Sequence, residues 1–75
     1  MRIFLEIFKT QTQEEMERGI PQEMIRVDVS DLGEDEIIRK KDEIVKTLGL
    51  TGYKTQIHYC YHDEEPTKPC EIEEI

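Results

Sequence analysis

The chain has 75 residues, ten Lys and Arg against eighteen Asp and Glu, a formal net charge of -8, and 36% apolar residues. That length fits one small domain over residues 1–75. No apolar run approaches the ~20 residues of a membrane span, and so acidic a chain lacks the basic footprint of a nucleic-acid binder. No secretory leader is legible at the N-terminus, which gives the expectation of a cytoplasmic protein with reduced thiols.

Met1–Lys9 reads as a strand. Alternation puts Ile3, Leu5 and Ile7 on one face and Phe4, Glu6 and Phe8 on the other, so both faces are largely apolar. Such a strand belongs at the centre of a sheet, or presents one face to another subunit. Thr10–Gly19 is polar, with Thr12 and Glu15 spaced as a capping box and Gly19 and Pro21 as a stop; one or two helical turns are expected, with Met16 as the inward anchor. Glu23–Val29 alternates cleanly, Ile25, Val27 and Val29 against Met24, Arg26 and Asp28, as a half-buried strand does.

Ser30–Leu48 carries the clearest periodicity. Ile37, Ile38, Lys41, Ile44, Val45 and Leu48 fall on one helical stripe. Asp31 is in place to cap, Glu34, Asp35 and Glu36 sit in the first turn, and Gly49 follows as a natural C′ residue. The acidic stretch Asp28–Glu36 contains Gly33 but fails the calcium-loop pattern, because Leu32 and Arg39 stand where ligands are required. Gly52–His62 reads as a strand with Ile57, Tyr59 and Tyr61 on one face and His58, Cys60 and His62 on the other. A turn around Pro66 returns the chain as a short edge strand over Lys68–Ile75.

These elements specify an α+β fold: a two-layer domain with a mixed sheet of three or four strands, one long helix in a βαβ unit over residues 23–62, and a C-terminal hairpin. The helix covers one sheet face. The opposite face then carries Phe4, Glu6, Phe8, Arg26, Asp28, His58, Cys60 and His62. Glu6, flanked by two phenylalanines, is placed to pair with Arg26 across the sheet.

One local constellation carries possible chemistry. His58-Tyr59-Cys60-Tyr61-His62 is followed by Cys70, and imidazole and thiolate are the preferred ligands of zinc and related metals. If the hairpin is centred on Glu65, Cys60 lies opposite Cys70, His62 opposite Lys68, and His58 opposite Ile72, with opposed Cβ atoms ~4.5–5.5 Å apart. That proximity suits ordinary packing, a disulfide or a shared ion. A straight strand separates His58 and His62 by ~13 Å, so both reach one ion only through a bend. The candidate metal set is therefore Cys60, Cys70, His62 and His58, with Cys60, Cys70 and one histidine the favoured subset. The spacing matches no standard zinc motif. No catalytic triad, nucleophile elbow or phosphate-cradling glycine pattern can be assembled.

Two functional expectations follow. The first is a small acidic non-enzymatic interaction module, homodimeric face to face through Phe4 and Phe8 or edge to edge through exposed strands. Its C-terminal acids, which give residues 63–75 a charge of -5, offer a strip for a basic protein partner. The second is a small metal-binding or thiol-redox module built on Cys60, Cys70, His58 and His62.

Overall fold

A computed structural model describes residues 1–75. Its elements run β1 (Arg2–Phe8), α1 (Gln13–Glu17), β2 (Met24–Asp28), α2 (Glu34–Leu48), β3 (Lys54–Cys60) and β4 (Glu71–Glu74). The four strands form one sheet in the order β2-β1-β3-β4. β1 is central, as its two apolar faces require: Leu5 and Ile7 are fully buried toward the helix, and Glu6 is buried on the other side.

The sheet is antiparallel at every step, not mixed. β2 and β3 do run in the same direction, as a βαβ unit demands, but β1 lies between them and pairs antiparallel with each. The hairpin register is the expected one. His58 stands opposite Ile72 and Tyr59 opposite Glu71, which places Cys60 against Cys70 one step on.

α2 lies over one sheet face. Its Ile37 joins Leu5, Ile7, Val29 and Ile57 in the buried core, and Ile44, Val45, Tyr53 and Tyr59 pack around them. The helix bounds match the sequence pattern, but the N-cap does not. Gly33, at φ -75° and ψ 164°, occupies that position with no side-chain hydrogen bond, and Asp31 precedes it. The acids of the first turn therefore meet the helix dipole without a side-chain cap. At the other end Gly49 adopts φ 63° and its N–H bonds the Val45 carbonyl, the left-handed stop that glycine supplies without steric cost.

α1 forms with the Thr12 cap, whose hydroxyl accepts from the Glu15 N–H at 3.2 Å. It covers nothing, however: it has no buried residue, and Met16 points outward at 58% exposure. Five residues give too little helix to bring an anchor back onto the sheet. The molecule is accordingly flat, 37 × 32 × 15 Å, with one sheet face under α2 and the other uncovered.

Candidate metal centre

The uncovered face is built by alternation. Opposed pairs across β1 and its neighbours put Phe4 beside Asp28 and His58, Glu6 beside Arg26 and Gln56, Phe8 beside Met24 and Lys54, and Arg2 beside Cys60. At its middle sits a buried charge. Arg26 Nη2 and Nε reach Glu6 Oε2 at 2.6 and 2.8 Å, Gln56 Nε2 donates to Oε1 at 2.8 Å, and His58 Nδ1 lies 3.2 Å from Oε1. Burial by itself pushes the Glu6 carboxyl up, but the hydrogen bonds from Gln56, Arg26 and His58 together outweigh it and hold the group below the usual carboxylate range. The expected Glu6–Arg26 pair is thus present, with two further partners that the sequence pattern did not indicate.

Phe4 is half-buried, with Arg26 stacked on its ring at 5.4 Å from the centroid. Its edge meets the His58 ring at 6.1 Å and 71°. His58 is therefore fixed from two sides, by an aromatic edge and by a carboxylate on Nδ1. Its other ring nitrogen, Nε2, is buried and has no hydrogen-bond partner. An orphaned buried imidazole nitrogen is costly unless something binds it.

The two sulfurs lie beside that ring. A ring nitrogen of His58 and the Sγ atoms of Cys60 and Cys70 are all within 4.8 Å of one another. Both cysteines are free thiols, half-buried. His62 meets the same sulfurs: its Nδ1 lies 3.3 Å from Cys60 Sγ and 3.4 Å from Cys70 Sγ.

His62 reaches both sulfurs because β3 stops at Cys60. Pro69, opposite Tyr61 in this register, has no N–H to extend the ladder. The chain turns instead, with the N–H groups of Glu64 and Glu65 bonding the Tyr61 carbonyl at 3.0 and 2.8 Å. That turn folds His62 back over the sulfurs, and the Met1 ammonium braces it by bonding Asp63 and Glu64. The expected pairing of His62 with Lys68 gives way to a turn. Lys68 lies over the Tyr61 ring, 4.0 Å from its centroid.

The thiols are not equivalent. Hydrogen bonding from the main chain and then the ring of His62 lowers Cys60 from its ordinary value, whereas burial and then the hydrogen bond to Cys60 raise Cys70. Of the two, Cys60 is the thiol that ionises more readily.

Elsewhere the tyrosines act as rim residues. Tyr53, Tyr59 and Tyr61 hydroxyls donate to Glu23, Glu73 and Glu71. Phe8 is half-buried and lines a shallow surface depression with Tyr53, Lys54 and Ile75. Asp28 accepts from the Ser30 N–H and hydroxyl at 3.0 and 2.6 Å, closing the β2–α2 turn rather than a cation loop.

No helix is long and apolar enough to cross a membrane. No protein-family model, no curated protein and no solved structure matches the chain.

Proposed function

We propose that the chain is a small metal-binding module that holds zinc, or a chemically similar ion, through His58, Cys60, His62 and Cys70. The observation that carries this reading is the His58 ring, which lies beside two sulfurs with Nδ1 on the Glu6 carboxylate and Nε2 buried without a partner. A carboxylate on one imidazole nitrogen fixes the tautomer and raises the basicity of the other, which is how metal-binding histidines are prepared. Two sulfurs and two imidazoles suit tetrahedral zinc. Metal–ligand lengths of about 2.0–2.3 Å set ligand–ligand edges of about 3.3–3.8 Å. The His62 nitrogen already meets both sulfurs at such distances, and the His58 ring nitrogen lies within 4.8 Å of the same sulfurs. All four ligands being side chains, the site has no place left for substrate, so its role is structural.

Titration of the reduced protein with cobalt(II) tests this. The expected result is one ion per chain, with thiolate-to-cobalt charge-transfer absorption and the strong d–d bands of tetrahedral cobalt, both displaced by zinc. Cys60→Ser and Cys70→Ser should abolish the charge-transfer band or halve it, and His58→Ala should weaken binding. Reduced protein that takes up neither cobalt nor zinc at stoichiometric concentration would refute the assignment.

A second reading concerns the uncovered face as a contact between two copies of this chain. Phe4 and Phe8 are half-buried there, Met24 and Ile72 are 42% and 51% exposed, and α2 shields only the opposite side. The face also balances Arg2, Arg26 and Lys54 against Glu6, Asp28 and Glu74, in a chain whose net charge is -8. It is the place where two acidic copies can meet without repulsion. Sedimentation should then show a dimer that Phe4→Ser with Phe8→Ser converts to monomer; a wild-type monomer at high micromolar concentration rejects the contact.

A further inference from the structure

The hairpin holds Cys60 and Cys70 in a relation that a metal site alone does not need. The Ile75 N–H bonds the Thr55 carbonyl at 3.2 Å, so these two residues form a hydrogen-bonded pair. Such pairs alternate along an antiparallel ladder. With Gln56 opposite Glu74 and His58 opposite Ile72, the next position on that face, Cys60 against Cys70, is a non-hydrogen-bonded pair. There Cα atoms stand ~4.5 Å apart and side chains approach most closely, inside the span that a disulfide bridges. The sulfurs are within 4.8 Å, and both are half-buried, open enough for a small oxidant.

From this geometry we infer that Cys60 and Cys70 form a peroxide-responsive dithiol, closing to a disulfide and expelling the bound ion. Release of the ion rests on the metal reading above; closure of the disulfide rests on the hairpin register. The oxidant is a hydroperoxide, taken here as hydrogen peroxide. One thiolate attacks a peroxide oxygen, the O–O bond breaks, and hydroxide leaves, giving a sulfenic acid. The opposed sulfur then attacks the first, the S–S bond forms, the S–O bond breaks, and the oxygen leaves as water. Two thiolates, one peroxide and two protons become one disulfide and two waters. The sulfurs are oxidised and the peroxide oxygens reduced. The zinc ion, left with two imidazoles, is lost. A neutral oxidant is favoured over an anionic disulfide such as oxidised glutathione, because the hairpin loop and β4 give residues 63–75 a charge of -5.

The experiment uses the reduced chain, first loaded with zinc and then treated with hydrogen peroxide. Zinc release is followed with a chromogenic chelator and the product by intact mass. The expected result is loss of two hydrogens per chain, one zinc released per disulfide, and reversal of both by a dithiol reductant plus zinc. Cys60→Ser and Cys70→Ser should each yield a sulfenic acid that a carbon-acid reagent traps, with no internal disulfide. Oxygen adducts on the wild-type cysteines without a disulfide, a disulfide joining two chains, or full zinc retention under peroxide would overturn the inference. So would faster closure by oxidised glutathione than by peroxide at equal concentration. If the reduced chain takes up no zinc before peroxide is added, the metal reading fails and release fails with it, while the mass of the same sample still decides for or against the disulfide.

Discussion

Glu6 is the residue on which the uncovered face is organised. It is 1% exposed without a helix above it, so its burial comes from its own neighbours on the sheet: the Phe4 ring, the Arg26 guanidinium, Gln56 and His58. Replacing it with Gln keeps its shape and removes the charge that three donors were placed to meet. Glu6→Gln should cost about 1–3 kcal/mol of stability in urea unfolding, and should weaken metal binding about 10–100-fold through the loss of its hold on His58. The pH dependence has a definite sign. A carboxyl held below its unfolded value, near 4.3, contributes stability that is fully present above that value and is lost as pH falls through the folded one. In Glu6→Gln the acid limb of the stability curve should therefore be shallower. Asp28 and Asp63, lowered chiefly by bonds from Ser30 and the N-terminal ammonium respectively, should supply what remains of it. The Glu6–Arg26 pair was legible in the sequence, since simple alternation puts both on one face. Gln56 and His58 as partners were not. They depend on β3 lying beside β1, and periodicity within a strand carries no record of its neighbours.

At the scale of elements, α2 was the most legible part of the chain, and its energetics follow its stripe. Ile37 is 2% exposed against the sheet, whereas Leu48, on the same stripe at the last turn, is 58% exposed. Ile37→Ala should cost about 2–4 kcal/mol and Leu48→Ala no more than about 0.5 kcal/mol, read from paired denaturation midpoints by circular dichroism. A similar loss at both positions would show that the helix does not sit as described. The stop at Gly49 was written in the sequence because glycine alone takes a left-handed φ freely. The N-cap was not, because Gly33 takes that position through backbone conformation and leaves Asp31, the better-looking residue, short of it. β3 taught the same lesson at its end. Alternation continues through His62, but Pro69 on the returning chain ends the ladder at Cys60, and the approach of His62 to the two sulfurs depends on that early stop.

At the scale of the whole molecule, the sequence conveyed the α+β class and offered the centre of the sheet as one place for β1, but its mixed sheet gave way to an antiparallel one because β1 lies between β2 and β3 in the order β2-β1-β3-β4. The resulting plate has a radius of gyration of 13.8 Å, where a compact chain of this length comes to about 11 Å. Five apolar side chains make up its buried core, and so small a core needs reinforcement from a ligand, a cross-link or a second subunit. The last strand shows where that reinforcement is felt. All four residues of β4 are exposed, so main-chain bonds to β3 and rim contacts such as Tyr59–Glu73 retain it, rather than any buried side chain. Cys70 stands immediately before it. An ion shared with Cys60 would therefore act as a latch on the sheet edge. Amide protons of residues 71–74 should exchange near the solvent rate in chelator-treated, reduced protein and become protected when zinc is added, while those of β1 change little. Equal protection in both states would mean the strand closes without a latch. Where the latch is open, the outer rim of β3 is bare for part of the time, with unpaired amides and carbonyls able to receive an extended segment from elsewhere. The metal, on this view, sets whether the sheet ends at its own fourth strand or offers that position to another chain.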